Sequence, residues 1–243
     1  MLMDEKVFDR VEKKYIIDNS QKQILLDEIN KNMRRSEYHE SGVFNIYFDT
    51  DNFDMIIKSI EKPEFKEKLR ARSYEGYDKV FLEIKTKLRG KEMNYGYKRR
   101  VLITTKDYDK LIKGKKTATE LAAQKIEQSN DLQIASEVDY LIKHFNLKPR
   151  ILVYYDRTSF AGDNSLRVTF DENLKYRAKS LKFKKNKTDK AYFKNEKNII
   201  MEVKANGVMP LWLVHAMSKA KAYPTSFSKI GKAYETLRKE KNV

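Results

Sequence analysis

The chain has 243 residues, of which 51 are Lys or Arg and 35 are Asp or Glu, for a net charge of +16. Zero cysteines exclude a disulfide framework, a thiolate metal site and a cysteine nucleophile, and 40% hydrophobic with 12% aromatic residues excludes a wholly disordered polyelectrolyte. The uncharged run from Ala205 to Ser218 has 14 residues and contains Pro210, short of the ~20 apolar residues of a bilayer span, and Met1 is followed by no apolar signal core. These readings set the expectation of a cytoplasmic chain, not itself membrane-spanning, with an anionic partner.

In chain order, a strand is expected over Phe8 to Ile17, then a helix from an N-cap at Ser20 to about Arg34 with Ile24, Leu25 and Ile29 on one face. A strand over Phe44 to Asp49 leads to a short helix over Met55 to Ser59. Phe65 to Tyr74, Val80 to Lys87 and Tyr95 to Thr104 are rich in β-formers and separated by turn residues, the pattern of an antiparallel meander. Helical periodicity occupies Thr105 to about Asn146. Strands resume at Arg150 to Phe160, Ser165 to Asp171 and Asn198 to Ala205, followed by a Pro-bearing helix from about Met209 and a last helix over Ile230 to Lys239. No repeat, linker or break in composition divides the chain, so a single domain over 1–243 is the simplest expectation.

The charge has two sources. Lys175 to Lys197 holds ten Lys or Arg against two acids, half the net total in 23 residues. Like charge at that density resists packing and predicts a solvated loop or hairpin, or a landing strip for polyanions. The remainder sits at alternate positions of strands: Arg10, Glu12 and Lys14; Lys68, Arg70 and Arg72; Glu83, Lys85 and Lys87; Lys98 and Arg100; Tyr155 and Arg157; Arg167, Thr169 and Asp171; Glu202 and Lys204. Period two places each set on one face of its strand. Cations side by side repel unless an anion lies between them. A sheet closed into a barrel would turn such faces inward around a polyanion, with Glu12, Glu83, Asp171 and Glu202 as candidates to hold a divalent cation against phosphate oxygens.

These segments resemble the VTC domain, the polyphosphate polymerase branch of the triphosphate tunnel metalloenzymes (the CYTH-like superfamily). The resemblance runs through Arg10–Tyr15, Ile46–Thr50, Lys68–Tyr74, Phe81–Lys85, Tyr97–Arg100, Tyr155–Phe160, Leu166–Asp171, Met201–Lys204 and Ser226–Lys229, in the family's order. It implies an α+β fold, an eight-stranded antiparallel β-barrel tunnel with helices packed outside. It also implies transfer of the ATP γ-phosphoryl group onto inorganic polyphosphate with Mn2+ or Mg2+. By position, Lys14, Arg70, Arg72, Lys85, Lys98, Arg157 and Arg167 match the family's basic phosphate ligands. Arg10, Tyr155, Lys204, Ser228 and Lys229 are the further substrate contacts so implied, and Glu202, with Glu12 and Glu83, the metal ligands. Arg10 stands where hydrolytic members of the superfamily carry the first Glu of Glu-x-Glu-x-Lys. Loss of that carboxylate weakens a second metal site and favours transfer over hydrolysis. The resemblance further implies a free-standing domain at the inner face of a membrane, working with a membrane-protein partner.

Other motifs carry less. His39, His144 and His215 have no metal-ligand spacing, Gly114–Thr117 lacks the order of a P-loop, and Trp212 is expected as a packing anchor. A tripolyphosphatase or nucleoside triphosphatase of the same fold is the first alternative. A non-catalytic polyphosphate or RNA binder is the second. Nucleic acid is the weaker polyanion, because it needs aromatics on the basic face, which only Tyr15, Tyr74, Tyr155 and Tyr176 partly supply.

Overall fold

The computed structural model describes residues 10–61, 63–90, 94–124, 129–193 and 198–241. Among these residues ten strands and seven helices follow in the order β1 (Arg10–Ile17), α1 (Asn19–Asn32), β2 (Arg34–Asp49), α2 (Asp54–Ile60), β3 (Phe65–Tyr74), β4 (Val80–Arg89), β5 (Asn94–Ile103), α3 (Thr105–Ile112), α4 (Ala118–Ala123), α5 (Ser129–His144), β6 (Lys148–Ala161), β7 (Arg167–Arg177), β8 (Lys190–Ala191), β9 (Ile199–Asn206), α6 (Leu211–Lys219), β10 (Pro224–Thr225) and α7 (Lys229–Lys241). The strands join in the order β10-β1-β9-β7-β6-β2-β3-β4-β5, with β8 beside β7. This α+β arrangement is the expected class. The strand count is ten rather than eight because β8 and β10, of two residues each, pair onto the edges of longer strands. No pairing joins β5 to β10 among the described residues, so the order is that of a sheet with two ends, where a closed barrel was expected.

The chain forms two compact units. The first comprises residues 1–42, 155–174 and 193–227, the second 43–154, 175–192 and 228–243. In the first unit β1 pairs antiparallel with β9, and β9 with β7. Tyr15, Ile17, Val168, Phe170, Met201, Val203 and Ala205 project from one face, where Leu25 and Ile29 of α1 and Leu213, Ala216 and Met217 of α6 cover them. Trp212 packs against this cluster. In the second unit β2, β3, β4 and β5 form an antiparallel meander. Phe44, Ile46, Leu69, Ala71, Leu82, Ile84, Val101 and Ile103 form its apolar face under Tyr108, Leu121, Val138 and Leu141 of α3, α4 and α5. Each core follows from period two in the strands meeting period 3.6 in the helices.

Caps moved several expected boundaries. Asp18, not Ser20, caps α1, its carboxylate accepting from the Gln21 amide at 2.9 Å while the Gln21 side chain accepts from the Asp18 amide. The long helical stretch is three helices, because Thr104 and Thr117 each close a capping box that starts α3 and α4. Residues 8 and 9 of the first expected strand and 194–197 of the basic segment lie outside the described residues. Before α2, Phe53 adopts left-handed backbone (φ 64°) and supplies no side-chain cap. The fully buried Asp49 carboxylate takes over, accepting from the amides of Thr50, Met55 and Ile56 at 2.8–2.9 Å.

Candidate functional site

The face of the meander opposite its core carries the charge. Register aligns Lys68, Lys85 and Lys98 across β3, β4 and β5, and aligns Tyr47, Arg70, Glu83 and Arg100 across β2 to β5 in the next row. Asn45, Arg72 and Phe81 make a third row. Three cations thus meet one carboxylate: Glu83 lies 2.6 Å from Arg70 Nη2, 3.1 Å from Lys98 Nζ and 3.8 Å from Arg72 Nε. Its side chain is only 1% exposed. Burial opposes its charge, but Arg70, Arg72 and Lys98 outweigh it and hold the carboxyl at about 2. Lys98 is lowered too, by burial and by repulsion from Arg72 and Arg100, which the attraction of Glu83 only partly offsets.

Two neighbours aim the guanidinium groups. Arg72 donates to Asn45 Oδ1 at 2.8 Å, and Arg70 donates to the Tyr47 hydroxyl at 3.4 Å. Burial would raise the Tyr47 phenol, yet Arg70, Lys68 and Arg72 bring it down to about 8. Arg100 stacks over Phe81, its guanidinium carbon 4.6 Å from the ring centre. Sequence reasoning missed Asn45 and Tyr47, although the alternation of Phe44, Ile46 and Phe48 with Asn45, Tyr47 and Asp49 contains the signal.

In the first unit the polar face is built from Glu12 opposite Lys204 and Lys14 opposite Glu202, with Arg167 opposite Lys204 and Thr169 opposite Glu202 on the other side of β9. Lys204 Nζ bridges Glu202 at 2.7 Å and Glu12 at 3.3 Å, and Lys14 Nζ donates to the Phe227 carbonyl at 3.2 Å. Burial works against the Glu202 charge, but Lys204, Lys14 and Arg157 prevail and hold it at about 2. Arg157 grips the buried Asp171 in a two-bond fork, Nε at 2.6 Å and Nη2 at 2.8 Å, and lies 5.1 Å from the centre of the Tyr155 ring. Burial also opposes the Arg157 charge, and Tyr155, Asp171 and Glu202 together raise it above its ordinary range.

The expected site residues therefore fall into two groups, each on a polar face: Lys14, Arg157, Arg167, Tyr155, Lys204, Glu12 and Glu202 in the first unit, and Arg70, Arg72, Lys85, Lys98 and Glu83 in the second. Arg10 opens β1 opposite Asn206, and its side chain lies outside the described residues. Ser228 and Lys229 belong to the second unit at the start of α7, where Ser228 Oγ accepts from the Gly231 amide at 3.2 Å.

The metal expectation divides. Glu12 and Glu202 direct oxygens at one ammonium, and the buried Thr169 hydroxyl opposite Glu202 has no hydrogen-bond partner among the described residues. That oxygen set suits a hard divalent cation. No group of three acidic, His or Cys side chains positioned for a metal occurs among the described residues, so further ligands would come from substrate or water. Glu83 does not fit: its oxygens already face three cations, and a divalent ion there would add to the repulsion. The aromatics that a nucleic-acid reading needs are mostly hidden, since Tyr15, Tyr155 and Tyr176 are all buried.

The chain is similar to known proteins over most of its length. The model of the VTC domain family matches residues 9–238. The chain is 28% identical over 163 residues to vacuolar transporter chaperone complex subunit 4 of Schizosaccharomyces pombe, covering 62% of this chain and 22% of that protein. The Trypanosoma brucei brucei subunit 4 is 28% identical over 155 residues, covering 56% of this chain and 20% of that protein. The chain thus spans about a fifth of the length of these relatives. In fold it is similar to a putative adenylyl cyclase from Hippeastrum described as having a dominant triphosphatase activity, with a TM-score of 0.52 and 13% identity over 91% of this chain and 93% of that one.

Proposed function

The chain belongs to the VTC domain family, and on that premise we propose that it is a metal-dependent polyphosphate polymerase that uses ATP as phosphoryl donor. One observation carries the reading: on the polar face of the meander the buried carboxylate of Glu83 serves three cations, with Lys68 and Lys85 in the adjoining row. A face so rich in cations suits a ligand rich in phosphate oxygens.

Phosphoryl transfer leaves little covalent work to the protein, so positioning and charge neutralisation dominate. A terminal oxygen of the polyphosphate chain attacks the γ-phosphorus of ATP as the bond to the β-phosphate oxygen breaks and ADP departs. Arg70, Arg72 and Arg157 offer planar forks to phosphate oxygens, and Lys14, Lys85 and Lys98 compact charges. Asn45, Tyr47 and Asp171 hold those forks in place. Mn2+ or Mg2+, held by Glu202 and Glu12 together with substrate oxygens, would supply further neutralisation of the transferring group. Glu83 serves as a resident counter-ion.

The names of the relatives, subunits of a vacuolar transporter chaperone complex, support a membrane-protein partner, and a cytoplasmic site at the inner face of a membrane is part of the proposal. Incubating the protein with ATP and Mn2+ and resolving products on a polyphosphate gel tests the reading. Long chains are expected, and Arg70→Ala or Glu202→Ala should abolish them. Orthophosphate alone would move the reading to a tripolyphosphatase, and tight polyphosphate binding without turnover that survives chelation would make the protein a binder.

A further inference from the structure

The basic segment after β7 is a built loop. Arg177, 4% exposed, reaches back into the turn that follows it. Its Nε donates to the Ser180 carbonyl at 3.0 Å and its Nη2 to the carbonyls of Lys182 and Lys184 at 2.5 and 2.8 Å, while Nη1 pairs with Asp189. The second Asp189 oxygen accepts from the Asn186 amide at 2.8 Å. One guanidinium therefore closes both ends of the loop. Leu181 and Phe183 turn inward against the second unit's core, the Phe183 ring centre 4.9 Å from that of Tyr108. Lys182, between them, is exposed.

Six lysines lie in 178–190. Lys185 pairs with Glu75 at 3.1 Å and Lys190 with Glu240 at 2.6 Å. Lys179, Lys182, Lys184 and Lys187 are exposed and have no acidic partner within 4 Å among the described residues. A loop that only needed solvation would gain nothing from a buried arginine fixing its backbone. Holding four like charges together costs free energy, which a polyanion repays.

Resting on the polymerase reading above, we propose that the Arg177-pinned loop is a docking surface for inorganic polyphosphate, holding the polymer outside the reacting residues. The choice of polymer follows from what the loop lacks. No exposed aromatic side chain within 178–190 offers a stacking platform for bases, and no exposed large apolar side chain offers an insertion into lipid. The exposed cations are all lysine, point charges on flexible stems that suit a chain whose only feature is repeated charge.

The test is binding without ATP or metal, by fluorescence anisotropy, comparing the natural chain with the fourfold variant Lys179→Gln, Lys182→Gln, Lys184→Gln, Lys187→Gln. Probes are polyphosphate of about 100 units, tripolyphosphate, poly(U) and phosphatidylserine vesicles. Loss of four charge contacts should weaken long-chain binding about tenfold or more at low salt, and make the dependence of log affinity on log salt shallower by about 3, as for single strands. Tripolyphosphate binding should be unchanged. Equal long-chain affinity and salt slope in the two proteins overturns the proposal, as does equal loss of tripolyphosphate. Poly(U) or vesicles binding the natural chain more tightly than polyphosphate, and losing that with the lysines, also overturns it. Absence of polymer from ATP in the natural chain counts against the polymerase reading alone, because the binding result is obtained without turnover.

Discussion

Replacing Glu83 by Gln removes the negative charge around which Arg70, Arg72 and Lys98 are gathered while keeping the side chain's size. A carboxyl held at about 2 against an ordinary 4.5 contributes about 3 kcal/mol at pH 7, at ~1.36 kcal/mol per pH unit. Because the folded value lies below the ordinary one, this contribution is full above pH 4.5 and is lost as pH falls toward 2. At pH 3 about 1.4 kcal/mol remains. In a chain of this size about 3 kcal/mol corresponds to a fall in Tm of roughly 6–12 °C. The assay is thermal or urea denaturation of both proteins at pH 7 and pH 3, each with and without tripolyphosphate. The gap should narrow in acid, and tripolyphosphate should stabilise Glu83→Gln more than the natural chain, since its oxygens replace the missing counter-charge. An unchanged Tm at pH 7, or a gap that tripolyphosphate leaves intact, would refute the electrostatic role of Glu83.

Three further outcomes are expected. Lys204→Met should tighten Mn2+ binding, read by electron paramagnetic resonance of the free ion, because its ammonium occupies the space between Glu12 and Glu202; Glu202→Gln should weaken it. Ultraviolet titration should show one tyrosine ionising near pH 8, a step missing from Tyr47→Phe, with phosphate affinity falling above that pH as the phenolate competes for Arg70. Asp49→Ala strands three amides at the start of α2 and should destabilise the protein by about 3 kcal/mol or more in urea denaturation, at ~1–3 kcal/mol for each buried donor left unpaired.

Much of the site was legible because a strand's side chains alternate: Lys68, Arg70 and Arg72 share a face whatever the strand pairs with. Which rows align was not legible. Lys85 facing Lys68, and Glu83 facing both Arg70 and Arg100, depend on register between strands, fixed by pairing and by the fit of Leu82 and Ile84 into the core beneath them. Sequence identifies a carboxylate among cations but not how many of them point at it.

The boundary errors have a similar origin. Asp18 and Ser20 are both N-cap residues, and selection of Asp18 rests on the reciprocal bond from Gln21, whose own amide group also reaches the carbonyls of Ala220 and Lys221. β2 extends back to Arg34 through Glu37, His39 and Glu40, a run without the alternation that marked its later half. The sequence by itself determined the strand-rich class, the family and the polar faces, since period two and local propensity act within a segment. Tertiary structure decided the partners of the charges, those of Lys185 and Lys190 in the basic segment included. One buried guanidinium, Arg177, fixes the loop of that segment, with hydrogen bonds and a salt bridge that reach residues three to twelve positions further along the chain.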